Sequence, residues 1–420
     1  MNLKALATAG TMALSTLLGS TAVNAETLTF VSWMKDEKGY GDWWNEVIAK
    51  FEADHPGVTI EMTKVARAEY ADTMFTMFAG GNPPDIVHLA AFEYQPFADT
   101  GWMEDLGPWF EKANFDLTGW AGQGTCEWKG QTYCLMLLYT SYILAYNDKL
   151  LADGGAALPT DWDSFLDAAR KATRDTDGDG VTDVYGVALD TTIGTTMMGD
   201  LLNFVLDAGG SWTKDGQPTF DSPGVIEGLQ RWKTLVSEGL TPNNTGSGDL
   251  RQLMSEGRIA MRIDGPWIYS ATRKAGPDVI DHLKLTQSPL DPPVGGTSNV
   301  IGMPSSLSPE KKELVWDFIM LAGSAEMQDR FATLGLSPAP RPGLDYTEQE
   351  KSVPYFDLYA AANKRAADAG IDRMPKGLEL EYNQVAKIVG EEVQRMVIED
   401  LDPAATAATI QKRVEELVAG

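Results

Sequence analysis

The chain has 420 residues, with 60 Asp and Glu against 34 Lys and Arg and a formal net charge of −26. So acidic a surface argues against nucleic acid and anionic membrane as partners, both of which it would repel. The length exceeds what one hydrophobic core organises, so two lobes are expected.

Lys4 gives a short positive start, an apolar run spans 5–18, and small residues lead to Val23-Asn24-Ala25 before the polar Glu26. This is the order of a secretory signal peptide, residues 1–25, cleaved after Ala25 to leave a periplasmic chain. The apolar run is shorter than the ~20 residues that span a bilayer. No cysteine follows it for lipid attachment.

Residues 28–33 alternate like a strand, and Trp44, Val47, Ile48 and Phe51 recur at helical spacing over 42–54. A second strand is expected over 58–65, a helix over 68–79 and a third strand over 85–89. Strand, helix, strand, helix, strand implies parallel pairing with right-handed crossovers, hence an α/β lobe. Cys126 and Cys134 flank Gly130, which suits a hairpin turn. In an exported protein a disulfide between them is favoured over two free thiols, and so short a loop staples only locally.

The pattern resumes with strands over 141–146, 184–189 and 259–263. A helix over 163–173 opens with a Thr160-Asp-Trp-Asp163 capping box. Ser222-Pro223 and Ser308-Pro309 each supply an N-cap and a proline at the first helical position. Asp402-Pro403 opens a final amphipathic helix.

Seven fragments, in order, carry a family resemblance. They are Phe51-Glu-Ala-Asp-His-Pro-Gly-Val58, Phe78-Ala-Gly-Gly-Asn-Pro-Pro-Asp-Ile-Val87, Tyr146-Asn-Asp-Lys-Leu-Leu151, Leu158-Pro-Thr-Asp-Trp162, Gly257-Arg-Ile-Ala-Met261, Asp264-Gly-Pro-Trp267 and Leu336-Ser-Pro-Ala-Pro-Arg341. With them the chain resembles the extracellular solute-binding proteins of carbohydrate ABC importers, the maltose-binding-protein-like family. The resemblance implies a two-lobed periplasmic-binding-protein fold, α/β, with discontinuous lobes joined by hinge strands. By analogy one lobe holds 26–138 and 290–338, and the other 139–289 and 339–420. It also implies a ligand enclosed between the lobes by hinge closure.

Ligands of open α/β sheets gather beyond the carboxyl ends of strands. That rule selects Trp33, Arg67, His88 and Asp190, while Tyr139 and Ser141 lie near the first hinge crossing. Trp267 follows a Gly-Pro break, and Asn299 and Arg341 lie on the return segments. A sugar presents apolar ring faces and hydroxyls, which aromatic plates and planar polar groups complement. Of the 12 Trp and 13 Tyr, Trp44 and Trp232 lie on apolar helical faces and are assigned to the core. Trp212, in a Gly-Gly-Ser-Trp loop, is read as either a loop anchor or a ligand contact. His88 is equally a candidate core histidine.

Asp175, Asp177, Asp179 and Asp183, with Gly180, occupy positions of a calcium loop, but Gly186 stands where the bidentate Glu belongs. A solvated acidic turn is the preferred reading. There is no Gly-x-Ser-x-Gly, His-Glu-x-x-His, Walker lysine or nucleotide glycine fingerprint. The expectation is therefore a monomeric, non-enzymatic receptor without cofactor, binding a sugar or sugar derivative. Its partners are permease transmembrane subunits with a separate ATPase. A secreted carbohydrate-active enzyme, a chemotaxis receptor, and a receptor for an anionic sugar or glycerol derivative are the alternatives; Arg67 and Arg341 together in the cleft would favour the last.

Overall fold

The computed structural model describes residues 26–272, 275–371 and 373–419; the expected signal peptide lies outside them. β1 (Glu26–Ser32) and β2 (Val58–Lys64) pair in parallel along their whole length, with the helix Tyr40–Asp54 as crossover. Its stripe of Trp44, Val47 and Phe51 is buried, as the spacing requires. The helix Tyr70–Ala79 leads to β3 (Val87–Ala90), joined to β1 by the parallel bridge Phe30↔Ile86. The third strand starts later than expected because Asp85 caps the sheet edge, its carboxylate accepting from the backbone N–H and hydroxyl of Thr29.

β4 (Glu127–Trp128) and β5 (Gln131–Thr132) form the expected hairpin, stapled by a Cys126–Cys134 disulfide with Cα atoms 5.2 Å apart. β6 (Leu135–Thr140) and β7 (Ile143–Asn147) follow, then β8 (Tyr185–Val187), the small hairpin of β9 (Thr213–Lys214) and β10 (Gln217–Pro218), β11 (Ile259–Asp264), β12 (Leu283–Thr286) and β13 (Thr297–Gly302). β3, β13 and β6 form one antiparallel sheet beside β1 and β2; β12, β7, β11 and β8 form another. In the second sheet only β8 and β11 run parallel, so the α/β pattern there is mixed.

β6 lies in the first sheet and β7 in the second, with only Ser141 and Tyr142 between them. The expected strand over 141–146 therefore begins two residues late, since those two peptides make the crossing. The chain returns through 287–296, and Tyr142 N–H donates to Val294 O at 3.1 Å, tying the two crossings together. Asn363, on the helix Phe356–Asp368, brackets the first crossing. Its Oδ1 accepts from Ser141 N–H at 2.7 Å and its Nδ2 donates to Tyr139 O at 3.3 Å.

Two helix starts differ from expectation. The helix Trp162–Ala172 is capped by Asp161, which accepts from Ser164 N–H while Ser164 Oγ lies 3.1 Å from Asp161 N. The box is one residue later than Thr160–Asp163, because Ser164 is short enough to reach back. Ser222 holds the N-cap backbone conformation of the helix Pro223–Ser237, but its hydroxyl makes no cap bond and is buried without a partner. Ser308 caps as expected, accepting from Lys311 N–H.

The helices Thr195–Asp207 and Pro223–Ser237 pack backbone to backbone where Gly228 meets Val205. A Cβ on Gly228 would lie 2.6 Å from Val205 Cγ2 and 2.9 Å from its backbone, so neither helix can yield without separating. Gly228→Ala is expected to cost about 1–3 kcal/mol, read as a lower urea midpoint at unchanged m-value.

Candidate functional site

Between the two sheets, at the crossings, lies a cleft of about 800 Å³. On the first-sheet side β1 ends at Ser32, whose Oγ accepts from Met34 N–H at 3.0 Å and starts the turn Trp33–Asp36. The Trp33 indole lies flat on His88, ring centroids 4.2 Å apart, and edge-on to Tyr70 at 4.7 Å. The guanidinium carbon of Arg67 is 5.0 Å from the same indole centroid. Trp33 thus supports Arg67 more than it offers a free plate. Arg67 Nη2 donates to Glu93 Oε1 at 2.7 Å. Glu93 is 1 % exposed, and its Oε2 is buried without a hydrogen-bond partner.

The other wall is built on Asp264, the last residue of β11. Arg251 Nε reaches its Oδ2 at 2.9 Å, Arg262 Nε reaches the same oxygen at 2.8 Å, and the Trp267 indole N–H donates to Oδ1. Burial opposes the charge on Asp264, but the two guanidinium groups outweigh it and hold the carboxyl well below the usual range. Trp267 is half-buried and lies so close over Gly265 that a Cβ there would come within 2.4 Å of the ring. An anionic carboxylate, two arginines and a glycine therefore fix the orientation of one indole.

Behind this wall Asp200 is buried, 3.8 Å from Arg262 Nη1, and accepts from Asp190 N–H at 2.8 Å. Burial pushes its carboxyl up to about 7 against the pull of Arg262. On the floor, Tyr142 lies perpendicular to Trp267, ring centroids 6.3 Å apart, and its hydroxyl accepts from Arg373 Nη1 at 2.9 Å. The Arg373 guanidinium carbon lies 4.7 Å from the Phe92 ring, and that of Arg67 5.8 Å from it.

Trp33, Arg67, Asp190, Trp267 and Asn299 all line the cleft. Asp190 is there with its oxygens already used, accepting from Thr192 N–H and hydroxyl and from Ser247 N–H and hydroxyl. His88 does not line it. It is fully buried under Trp33, its Nδ1 2.9 Å from Ser32 Oγ, and burial lowers its pKa to about 3, so it is a neutral core histidine. Tyr139 packs on Gly122 and Ser141 is buried in the crossing, both outside the wall. Arg341 is also elsewhere. Its Nη1 donates to Gly323 O at 2.6 Å, and Phe115 and Trp120 lie under the guanidinium, so it pins a loop. With Arg341 gone from the cleft, the pairing of Arg67 with Arg341 no longer argues for an anionic ligand.

Trp212 is buried and stacked on Phe220, an anchor within its loop, and Trp44 and Trp232 are core. Asp175, Asp177 and Asp183 bring ligand atoms within 4.8 Å of one another. Their carboxylates accept from the loop's own amides, Asp175 from Gly178 and Gly180 and Asp183 from Thr176, and Asp179 accepts from Val181. The loop folds on itself as an acidic turn does.

Glu93, Phe92, Tyr142, Arg251 and Arg373 line the cleft without having been singled out from sequence. The strand-end rule stopped at β3 and would have reached Phe92 and Glu93 had it run a few residues further. Arg251 and Arg373 come from a helix and an irregular segment, where no local pattern marks them.

The profile described as "Bacterial extracellular solute-binding protein" matches residues 46–353. A putative binding protein of Brucella abortus (strain 2308) is 24% identical over 300 residues, 66% of this chain and 68% of its own. The ABC transporter solute-binding protein of Thermotoga lettingae, solved with α-D-tagatose, superposes with a TM-score of 0.80 at 24% identity, covering 94% of this chain and 100% of that one. The GacH receptor of Streptomyces glaucescens, solved unliganded and with acarbose, gives 0.79 at 18% identity over 94% and 99%. These structures establish the two-lobed fold.

One pH dependence follows from Asp200. The folded chain keeps its proton up to about 7, whereas the ordinary value is 3.8, so folding takes up a proton between them. The resulting stabilisation is full below about pH 4 and is lost as pH rises through 7. Asp200→Asn is expected to flatten the urea stability profile between pH 4 and pH 8; an unchanged slope would assign the proton elsewhere.

Proposed function

The chain belongs to the bacterial extracellular solute-binding proteins, and on that premise we propose that it is the periplasmic receptor of an ABC importer. Its ligand is a sugar or sugar derivative held in the cleft between two lobes, taken as 26–138 with 290–338 and 139–289 with 339–420. The observation that carries the reading is the Arg67–Glu93 pair. Glu93, its side chain wholly buried, fixes a guanidinium that is part-exposed and has N–H groups to spare. Sugar hydroxyls accept from those Arg67 N–H groups.

Trp267 supplies the apolar face. Held by Asp264 and Gly265, it stacks without losing rotamer freedom on binding. Both solved relatives named above carry a sugar or sugar-like ligand, which supports the same class here. Closure of the lobes over the ligand gives the shape that permease subunits read, and a separate ATPase supplies the energy. The receptor acts as a monomer and leaves its ligand chemically unchanged. The N-terminal Lys4-to-Ala25 pattern supports export to the periplasm.

A thermal-shift screen of the 26–420 chain against neutral sugars, polyols and sugar acids tests this. A ligand at a hundred times its dissociation constant adds about 2.7 kcal/mol of stability. One class is expected to raise the melting temperature and to be recovered intact; a cleaved compound would make the protein an enzyme. Glu93→Ala and Trp267→Ala are each expected to weaken binding of that ligand about 10- to 100-fold by titration calorimetry. Affinity within twofold of the parent would remove that residue from the site.

A further inference from the structure

The cleft's charged groups are not equally answered. Lys64 pairs with Asp36 at 3.0 Å, Arg67 with Glu93, and Arg251 with Asp264. Arg373 is different. It is 4 % exposed, and among the described residues no carboxylate lies within ion-pair distance of it. Its bonds go to neutral oxygens, the Tyr142 hydroxyl and the Thr195 carbonyl, with the Tyr382 hydroxyl also beside it, and its Nε is buried without a hydrogen-bond partner. A buried cation is costly where the charge facing it is incomplete, and the Asp200 carboxylate acts on Arg373 only from beyond ion-pair distance.

The Thr195 carbonyl places that guanidinium at the start of the 13-residue helix Thr195–Asp207. This helix opens without a cap: its N-cap is Gly194, no side chain bonds the first turn, and the first turn holds no acid. Gly194, Thr195 and Thr196 all line the cleft. The N–H groups of a first turn have no acceptor within the helix, and they carry the positive end of its dipole. The neighbouring helix Ser247–Ser255 also starts on the cleft, but there Asp190 takes the Ser247 N–H and Asp249 stands in the first turn. One helix start is neutralised from within the protein; the other, beside the unpaired arginine, is not.

We infer that Arg373 and the first turn of the helix Thr195–Asp207 form an anion subsite, and that the ligand is a sugar acid whose carboxylate binds there. This rests on the cleft being a sugar site. The carboxylate accepts from Arg373 and from the open N–H groups, as anions do at helix N-termini. Arg373 and Arg67 lie 4.7 and 5.8 Å from the one Phe92 ring, so a single monosaccharide reaches both. Its hydroxyls meet Arg67 while its acid group meets Arg373. Asp36 and Asp190 do not oppose this, being paired or hydrogen-bonded; Glu37, Asp72 and Asp249 line the cleft as the remaining acids.

The test is calorimetric titration of the wild-type protein at pH 7 with matched pairs: glucose and glucuronate, galactose and galacturonate, glucose and gluconate. At least one acid is expected to bind ten or more times tighter than its neutral partner. Arg373→Met should erase that preference, bringing acid and neutral affinities within threefold of each other, and Arg373→Lys should restore part of it. Equal binding of acid and neutral partners by the wild type overturns the subsite and leaves the sugar reading standing. If neither partner of any pair binds, nor any other carbohydrate, the sugar reading fails and the subsite with it. The wild-type comparison decides the matter even if Arg373→Met does not fold.

Discussion

The structure depends on a crossing made without a loop. β6 ends at Thr140 in one sheet and β7 begins at Ile143 in the other, so two residues carry the chain between them. The return segment lies alongside, bonded through Tyr142 and Val294, and Asn363 clamps Ser141 and Tyr139 from above. The outgoing crossing is two residues long and hydrogen-bonded to the return segment, which holds the two sheets side by side at those residues. The cleft is the space this geometry leaves, and Tyr142 is on its floor because it is itself part of the crossing.

A second constraint acts on charge. The chain as a whole is strongly acidic at −26, yet the cleft is built from arginines in fixed partnerships. Asp264 gathers Arg251, Arg262 and the Trp267 indole on one carboxylate, which makes an aromatic side chain at a loop start as well oriented as one in a strand. Glu93 does the corresponding work for Arg67. Pairing of this kind leaves little net field except where it is incomplete, as at Glu93 Oε2 and Arg373 Nε, both buried without a hydrogen-bond partner.

Much of the scaffold was legible because it obeys local rules. The stripe Trp44, Val47 and Phe51 has no solution other than a helix on a core, and Ser308-Pro309 caps as its residues dictate. Cys126 and Cys134 read as a stapled hairpin and are one. Boundaries slipped where two adjacent residues could each serve, as at Asp161 over Thr160. In the cleft, the residues at strand ends could be anticipated: Trp33, Arg67, Asp190, Trp267 and Asn299 all reach its wall. Arg341 and Tyr139 sit near such positions but face the packing of their own lobe. Arg373 belongs to no element and has no sequence signal. Only the fold brings it under Phe92 and against the helix at Thr195.

The central claim is that the two lobes close around a ligand through the Ser141–Tyr142 crossing. Small-angle X-ray scattering of the 26–420 chain, with and without a saturating ligand from the carbohydrate screen, tests it most directly. A smaller radius of gyration and a shortened maximum dimension are expected on binding, reversed on dialysis. Saturation with no change in either quantity would mean that the ligand binds without closure, and would contradict the claim that the crossing works as a hinge.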